Sequence, residues 1–401
     1  MRLCNRLGAR ARHPCFSMKG AGMTHIIRRK FLLGISALCV ALLSASLLGG
    51  CGSPAQKAPE PAQKEKAAQT RTITDSYGRS VTIPAQVKTA ATVGCAARYV
   101  VYAGGMDKLV ACTEKEKKPG PNRPYAMAYK DKFDKLPITS NGNHRMDTAV
   151  DTEKMLGLHP DVILSSRTKP ECDKLQEQLK IPVVGVDSNS EIFGEGVSKS
   201  ITIVGEVLGC SEHAKKVTTA IANWKVDLDK RTKDIPDAER PKAYVGAVNY
   251  RGAKSITGTC AHYPVFEAIH ARNVADESGQ KSEFDTTFEQ IGTWNPDVMF
   301  LNQANMNLMQ KDYNDHKAFF DKLKVFKEGK IYTQPFFNFN GTNVEMAICD
   351  TFFCGKVMYP KQFADMDMPK KYDEIFTTLL GKAYYADLKA QGFDFTTITF
   401  K

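Results

Sequence analysis

The sequence predicts an α/β protein built as two Rossmann-like lobes joined by a single long α-helix, with a ligand cleft between the lobes. Three observations carry this reading. The chain has 401 residues, room for two domains at roughly 100–200 residues each. A thirteen-residue pattern recurs without gaps at an offset of 136 residues, about the size of one α/β lobe. Between the two copies lies one long stretch with a helical apolar stripe.

The recurring pattern is Thr152 to Leu164 against Phe288 to Phe300. Each copy places a glutamate, Glu153 or Glu289, seven residues before a Pro-Asp-Val triplet and then runs apolar. Such a segment is a short helix stopped by proline, because the ring disfavours helix in the residue before it, followed by a buried parallel strand. Coincidence is the competing explanation, since helix-Pro-Asp-strand is a frequent α/β connection.

The elements follow in order. Residues 1–50 hold eight basic residues and no acidic one. Arg28, Arg29 and Lys30 precede the small and apolar run Phe31 to Gly50, as the n-region and h-region of a signal peptide do. A transmembrane anchor is the alternative, because twenty residues just span a bilayer. Met18 or Met23 would start a signal of more usual length, so the first 22 or so residues read as an upstream extension. Arg28-Arg29 leaves the twin-arginine and general export routes both open. Residues 52–70 are rich in Pro, Ala, Gln, Lys and Glu with no aromatic or branched aliphatic side chain, and read as a flexible linker.

The first lobe is expected over 71–208, opening with a strand at Val87–Val93, a helical turn at Tyr99–Gly104 and a strand at Leu109–Thr113. The spanning helix is expected within 209–236: Ser211 reads as its N-cap, and Ala214, Val217, Ile221, Trp224 and Leu228 form one stripe before Pro236. The second lobe, over 237–401, opens with a strand at Ala243–Val248 and closes with helices at Asn343–Tyr359 and Tyr372–Gln391.

Further motifs carry a family resemblance. Leu48-Gly49-Gly50-Cys51 resembles the lipobox of bacterial lipoproteins, in which the cysteine is lipidated. Asp75-Ser76-Tyr77-Gly78-Arg79-Ser80-Val81-Thr82-Ile83-Pro84 is similar to an N-terminal hairpin motif, and Leu323-x-x-Phe326-x-x-Gly329-Lys330-Ile331-Tyr332 to a segment before the last strand, of ABC-importer substrate-binding lipoproteins of the helical-backbone class. The resemblance covers about Arg71 to Leu388. It implies a monomeric, exported, lipid-anchored protein, periplasmic or on the cell surface, that works with a permease and its ATPase. Ligands carried in that family are ferric siderophores, haem, corrinoids and some oxyanions. The family's acidic docking residues do not align securely here; Glu153, Glu267 and Glu277 are the candidates, against an ordinary solvated surface role.

In two-lobed α/β proteins the ligand lies outside the carboxyl ends of the strands. The residues following each predicted strand give a candidate binding set: Arg98, Tyr99, His144, Arg145, Arg167, Tyr250, Arg251, Tyr263 and Asn338. Guanidinium groups beside aromatic and amide side chains suit an anionic chelate. The leading expectation is therefore a metal chelate, a ferric siderophore, with haem, cobalamin or a metal oxyanion as the alternatives. His144 with Tyr263 or Tyr250 could instead ligate haem iron directly, although no metal-site spacing of histidines is present.

Enzyme motifs are missing: there is no Gly-x-Ser-x-Gly, P-loop, His-Glu-x-x-His or dinucleotide fingerprint. The expectation is a binding protein with no resident cofactor. A lipid-anchored α/β hydrolase acting through His144 and Glu345 is the alternative of another class. Beyond the targeting region and Cys51, seven cysteines remain with no Cys-x-x-Cys pair, which predicts free thiols, with Cys95 and Cys112 as the one pair worth testing. The formal net charge is +11, of which +8 belongs to residues 1–50. The remainder gives no case for nucleic acid.

Overall fold

The computed structural model describes residues 69–141, 149–187, 191–249 and 251–400. Every described residue belongs to one compact unit, Glu65–Lys401. The expected signal region, Cys51 and most of the expected linker lie outside the described residues.

β1 (Thr70–Thr74) and β2 (Ser80–Pro84) make an antiparallel hairpin whose turn is the Asp75-x-x-Gly-Arg79 motif. Asp75 is fully buried, and its carboxylate accepts the amides of Tyr77, Arg79 and Gly185 at 3.0, 2.9 and 2.9 Å and the Arg79 guanidinium at 2.9 Å. Arg79 also donates to the Val183 carbonyl at 2.8 Å. Arg79 Nε also donates to Asp173 at 2.7 Å, so both buried charges are paired and hydrogen-bonded, the condition under which burying opposite charges is tolerated. The close approach needs a glycine on the sheet side: a Cβ on Gly185 would stand 2.5 Å from the Tyr77 ring and 2.8 Å from Asp75 Oδ2. The motif thus fastens the hairpin to an edge strand of the first lobe.

That lobe runs through β3 (Ala90–Val93), α1 (Ala97–Tyr102), β4 (Leu109–Thr113), α2 (Pro124–Ala128), β5 (Ile138–Ser140), α3 (Thr152–Leu158), β6 (Val162–Ser165), α4 (Lys169–Leu179), β7 (Val183–Gly185) and α5 (Glu195–Val207). Its five parallel strands are ordered β5-β4-β3-β6-β7, a doubly wound sheet whose order reverses between β3 and β6. The spanning helix α6 is Ser211–Thr232, with Ala214, Val217, Ile221, Trp224 and Leu228 buried. Ser211 is its first helical residue and Cys210 takes the cap position without a side-chain bond, so the predicted serine cap does not form.

The second lobe comprises β8 (Lys242–Gly246), β9 (Gly258–Cys260), β10 (Arg272–Asn273), β11 (Glu283–Asp285), α7 (Phe288–Trp294), β12 (Val298–Asn302), β13 (Ile331–Gln334), α8 (Val344–Met358), α9 (Met368–Leu380), α10 (Tyr385–Ala390) and β14 (Thr396–Thr397). Its main sheet is ordered β10-β8-β12-β13-β14, parallel except for β14, with β9 and β11 paired separately. The predicted single closing helix over 372–391 is two, because Gly381 adopts φ +77° and caps α9 in the left-handed conformation.

The repeat is structural. α3 and α7 end at His159 and Asn295, both left-handed at φ 45° and 43°, followed by Pro-Asp and then β6 or β12. Proline's pressure against right-handed helix in the preceding residue is met in the same way twice.

The outer faces of the two sheets have separate apolar clusters, one around Met155, Ile163 and Leu175, the other around Trp294, Met299 and Phe320. The inner faces share one. Val100 and Tyr102 of the first lobe, Trp224 and Leu228 of α6, and Val245, Phe300, Phe352 and Phe376 of the second belong to a single continuous core. Helix α6 is tied to the second lobe by Trp224 Nε1 donating to Glu374 at 2.8 Å, His270 Nε2 against Asp229 at 2.8 Å, and Arg231 on Asp365 at 2.7 Å.

Candidate ligand-binding site

Beyond the carboxyl ends of β8 and β13 lies a cavity of about 490 Å³. Val248 comes from the loop after β8, and Phe336, Phe337, Asn338 and Thr342 from the loop after β13. The segment 260–264 after β9 and Lys281, Ser282 and Glu283 at β11 close the sides, and Glu191 reaches in from the first lobe. The site therefore sits where a two-lobed α/β protein is expected to take its ligand.

One wall is aromatic. Tyr263 and Phe337 lie 6.0 Å apart, Phe336 and Phe337 6.2 Å apart, and Phe266 supports Tyr263 edge-on at 5.0 Å. Tyr263 is buried, and its hydroxyl accepts from Gln334 Nε2 at 2.8 Å, while Gln334 Oε1 accepts from Cys354 Sγ at 3.2 Å. Burial holds the Tyr263 phenol well above its ordinary pKa. A neutral phenol engaged in this way is a poor metal ligand.

The other wall is polar and mostly acidic. Glu283 accepts from Asn338 Nδ2 at 3.2 Å, and Glu267 faces His262 Nδ1 at 3.2 Å. Among the described lining residues, Glu191, Glu267 and Glu283 stand against the one permanently cationic side chain, Lys281. Beneath the aromatic wall, Asp350 of α8 is fully buried, with no hydrogen-bond partner for either carboxylate oxygen among the described residues. Desolvation raises its pKa well above the carboxylate range, so the neutral acid is the favoured form.

The structure distributes the predicted binding set unevenly. Tyr263 and Asn338 line the cavity. Arg167 lines a different cavity, of about 520 Å³, with Val150, Glu171, Lys174, Leu175 and Gln178 in the first lobe. Arg251 is exposed on the loop after β8 at φ 52°. His144, Arg145 and Tyr250 lie outside the described residues.

Arg98 and Tyr99 are away from the cavity wall. Tyr99 is 3% exposed in the shared core, edge-on to Tyr102 at 6.0 Å. Arg98 is 1% exposed and donates to the carbonyls of Asn340, at 2.5 Å, and Thr342. Sequence position after β3 placed both at a strand's carboxyl end, but α1 turns them into the seam between the lobes. Glu345 lies in the same seam, fully buried, accepting from the Tyr102 hydroxyl and the Tyr125 amide. It does not line the cavity, which removes the acid of the hydrolase alternative from the site.

Of the docking candidates, Glu153 is exposed in the first turn of α3. Glu277 pairs with Arg272 at 3.3 Å, and Glu267 lies on the cavity wall. Phe336, Phe337 and His262 lie outside the predicted binding set, although each closely follows a strand, β13 or β9, the position that marks the rest. Glu191, Lys281 and Glu283 belong to short irregular segments with no motif, and only the fold brings them in.

Two doubly wound lobes, one spanning helix and a cavity at the strand ends define a two-lobed solute-binding protein. The chain belongs to the family described as periplasmic binding protein, whose family model matches residues 92–336. It is 27% identical over 264 residues to YvrC of Bacillus subtilis, an ABC transporter substrate-binding lipoprotein, a match spanning 64% of this chain and 77% of that one. It is 22% identical over 266 residues to the molybdate-binding protein MolA of Haemophilus influenzae, across 61% and 73% of the two chains. In fold it is similar to the crystal structure of a periplasmic solute-binding protein from Veillonella parvula, with TM-score 0.64 and 17% identity over 81% of this chain and 97% of that one. The MolA structure with molybdate gives TM-score 0.60 at 20% identity, over 78% and 99%. As a member of this family the protein binds a small solute outside the cytoplasm for an ABC transporter. No described helix is long and apolar enough to cross a membrane.

Proposed function

We propose that this protein captures a metal chelate, foremost a ferric siderophore, and delivers it to an ABC permease and its ATPase while anchored through lipidated Cys51. The observation that carries the reading is the cavity of about 490 Å³ with its aromatic wall. A volume of roughly 300–1,000 Å³ lined by aromatic side chains suits an organic ligand. Rings at 6.0 and 6.2 Å spacing offer flat faces to the aromatic or conjugated groups of a chelator. The chelate holds the metal within its own ligand set, so this reading asks for no metal-binding cluster from the protein.

Molybdate is the second reading, and the 22% identical MolA is the observation in its favour. The electrostatics weigh against it. Among the described lining residues three carboxylates face one lysine, which disfavours a bare dianion and is compatible with a neutral or cationic complex.

Glu153 is the docking residue we favour for the first lobe. Its repeat-equivalent, Glu289, occupies the first turn of α7 and is the matching choice for the second.

Native mass spectrometry with metal analysis of the protein purified from its host tests the ligand. An iron-bearing organic complex is expected. Retention of molybdate, or of a free amino acid or sugar alone, would overturn the chelate reading.

A further inference from the structure

The cavity wall contributed by the second lobe is held in place by the first. Residues 336–343 leave β13, turn at Asn340 and Gly341, both left-handed at φ 55° and 88°, and enter α8. Phe336, Phe337, Asn338 and Thr342 of this loop face the cavity. Within the loop, the amides of Phe339 and Asn343 donate to the Phe337 carbonyl at 3.2 and 2.9 Å, and Asn343 Nδ2 donates to the same carbonyl at 2.8 Å. An isolated bridge joins Asn338 to Thr342.

Asn338 Nδ2 also donates to Glu283 of the same lobe at 3.2 Å, and further support crosses the lobe boundary. Arg98 of α1 donates one guanidinium nitrogen to the Asn340 carbonyl at 2.5 Å and another to the Thr342 carbonyl. Its plane lies 5.3 Å from the centre of the Tyr125 ring, which limits the rotamers open to it. Arg123, itself donating to the carbonyls of Lys115 and Lys118, sits 5.2 Å from the centre of the Phe339 ring.

The geometry points to Arg98 as a positioning residue of the binding cavity: it fixes the 336–343 loop from the opposite lobe without touching the ligand. A planar fork on two carbonyls two residues apart sets both the position and the tilt of the segment between them. An ammonium group is a single point donor and cannot hold both to the same plane. Because both acceptors are main-chain carbonyls, their identity does not depend on the side chains at 340 and 342. The cavity-facing residues Asn338 and Thr342 lie on either side of the pinned turn.

Hydrogen exchange of the whole mature protein tests this without a ligand. In Arg98→Gln the amides of Phe339 and Asn343 are expected to exchange about tenfold faster or more, since opening the loop no longer breaks the two Arg98 bonds. Amides of β3, β8 and β12 should keep their wild-type rates. Arg98→Lys, which retains the charge, should fall between the two. Unchanged rates at Phe339 and Asn343, or a uniform rise across the sheets, would overturn the assignment. If Arg98→Gln does not fold, Arg98→Lys decides alone: faster loop exchange over unchanged strands supports the role, and wild-type loop rates refute it. A parallel titration with a neutral ferric tris-hydroxamate rests on the proposed function. Failure of the wild type to bind that probe counts against the chelate reading, and the exchange result still decides the role of Arg98.

Discussion

Asp161 and Asp297, 136 residues apart, make the same contact in the two lobes. Oδ2 of Asp161 accepts the amides of Lys88 and Thr89 at 2.6 and 3.0 Å, and Oδ2 of Asp297 accepts the amide of Lys242 at 2.9 Å. Each carboxylate thus caps the entrance of the lobe's first sheet strand, β3 or β8, from the neighbouring β6 or β12. Replacing either by Ala leaves strand-entry amides without their acceptor and should cost about 1–3 kcal/mol. The two losses should add to within about 0.5 kcal/mol, as the sites share no partner. Urea unfolding of the single and double variants measures both.

Asp350 gives stability a pH slope. Its pKa is raised in the folded state by burial, so the native protein holds a proton that the unfolded chain releases above about pH 4. Stability contributed in this way is present at low pH and is lost as pH rises through the window between the two values. Glu345, raised by burial against the opposing Tyr102 hydrogen bond and Arg98 charge, acts in the same direction. Asp350→Asn removes one of the two contributions. Relative to wild type, its stability should improve by about 1.4 kcal/mol per pH unit within that window, read from urea midpoints at pH 5, 6 and 7. A gap constant with pH would show that Asp350 does not titrate there.

Six of the seven described cysteines are buried and Cys210 is half-buried, all as free thiols. Burial, offset in part by Lys108, keeps the Cys210 thiol above its ordinary pKa, and the thiolate is the reactive form. A thiol reagent should therefore modify one group slowly at neutral pH, faster near pH 9, and seven after denaturation without reductant. Five would reveal a disulfide.

The two cavities can be told apart by substitution. Phe337→Ala removes the centre of the aromatic wall and should weaken binding of a ferric chelate about tenfold or more. Arg167→Ala, in the first-lobe cavity, should leave that affinity unchanged. Isothermal titration of both variants with the same chelate gives the comparison, and the reverse pattern would move the site to the first lobe.

What the sequence could convey follows from the range of the forces involved. The doubled helix-Pro-Asp-strand unit and the α6 stripe are local patterns, so their elements were legible from periodicity and proline chemistry. The Asp75-Arg79 turn was legible as a motif, although its anchor, the Val183 and Gly185 backbone, lies more than a hundred residues away and left no local trace. Arg98 shows the limit most clearly. Its position after β3 suggested a ligand contact, and its real acceptors are carbonyls at 340 and 342, which carry no sequence signal. Glu191, Lys281 and Glu283 escaped notice for the same reason: their convergence is a property of the tertiary arrangement.

The shared core bears on how the protein is made. Helices α8 and α9 supply Phe352 and Phe376 to the cluster that also holds Val100 and Tyr102, so the inner face of the first lobe stays incomplete until residues 344–380 have been synthesised. An emerging chain of that kind has exposed apolar surface for most of its length. The first lobe thus completes its core only with the last third of the chain, and a truncation before α9 should be degraded rather than accumulate as a half-sized binding protein.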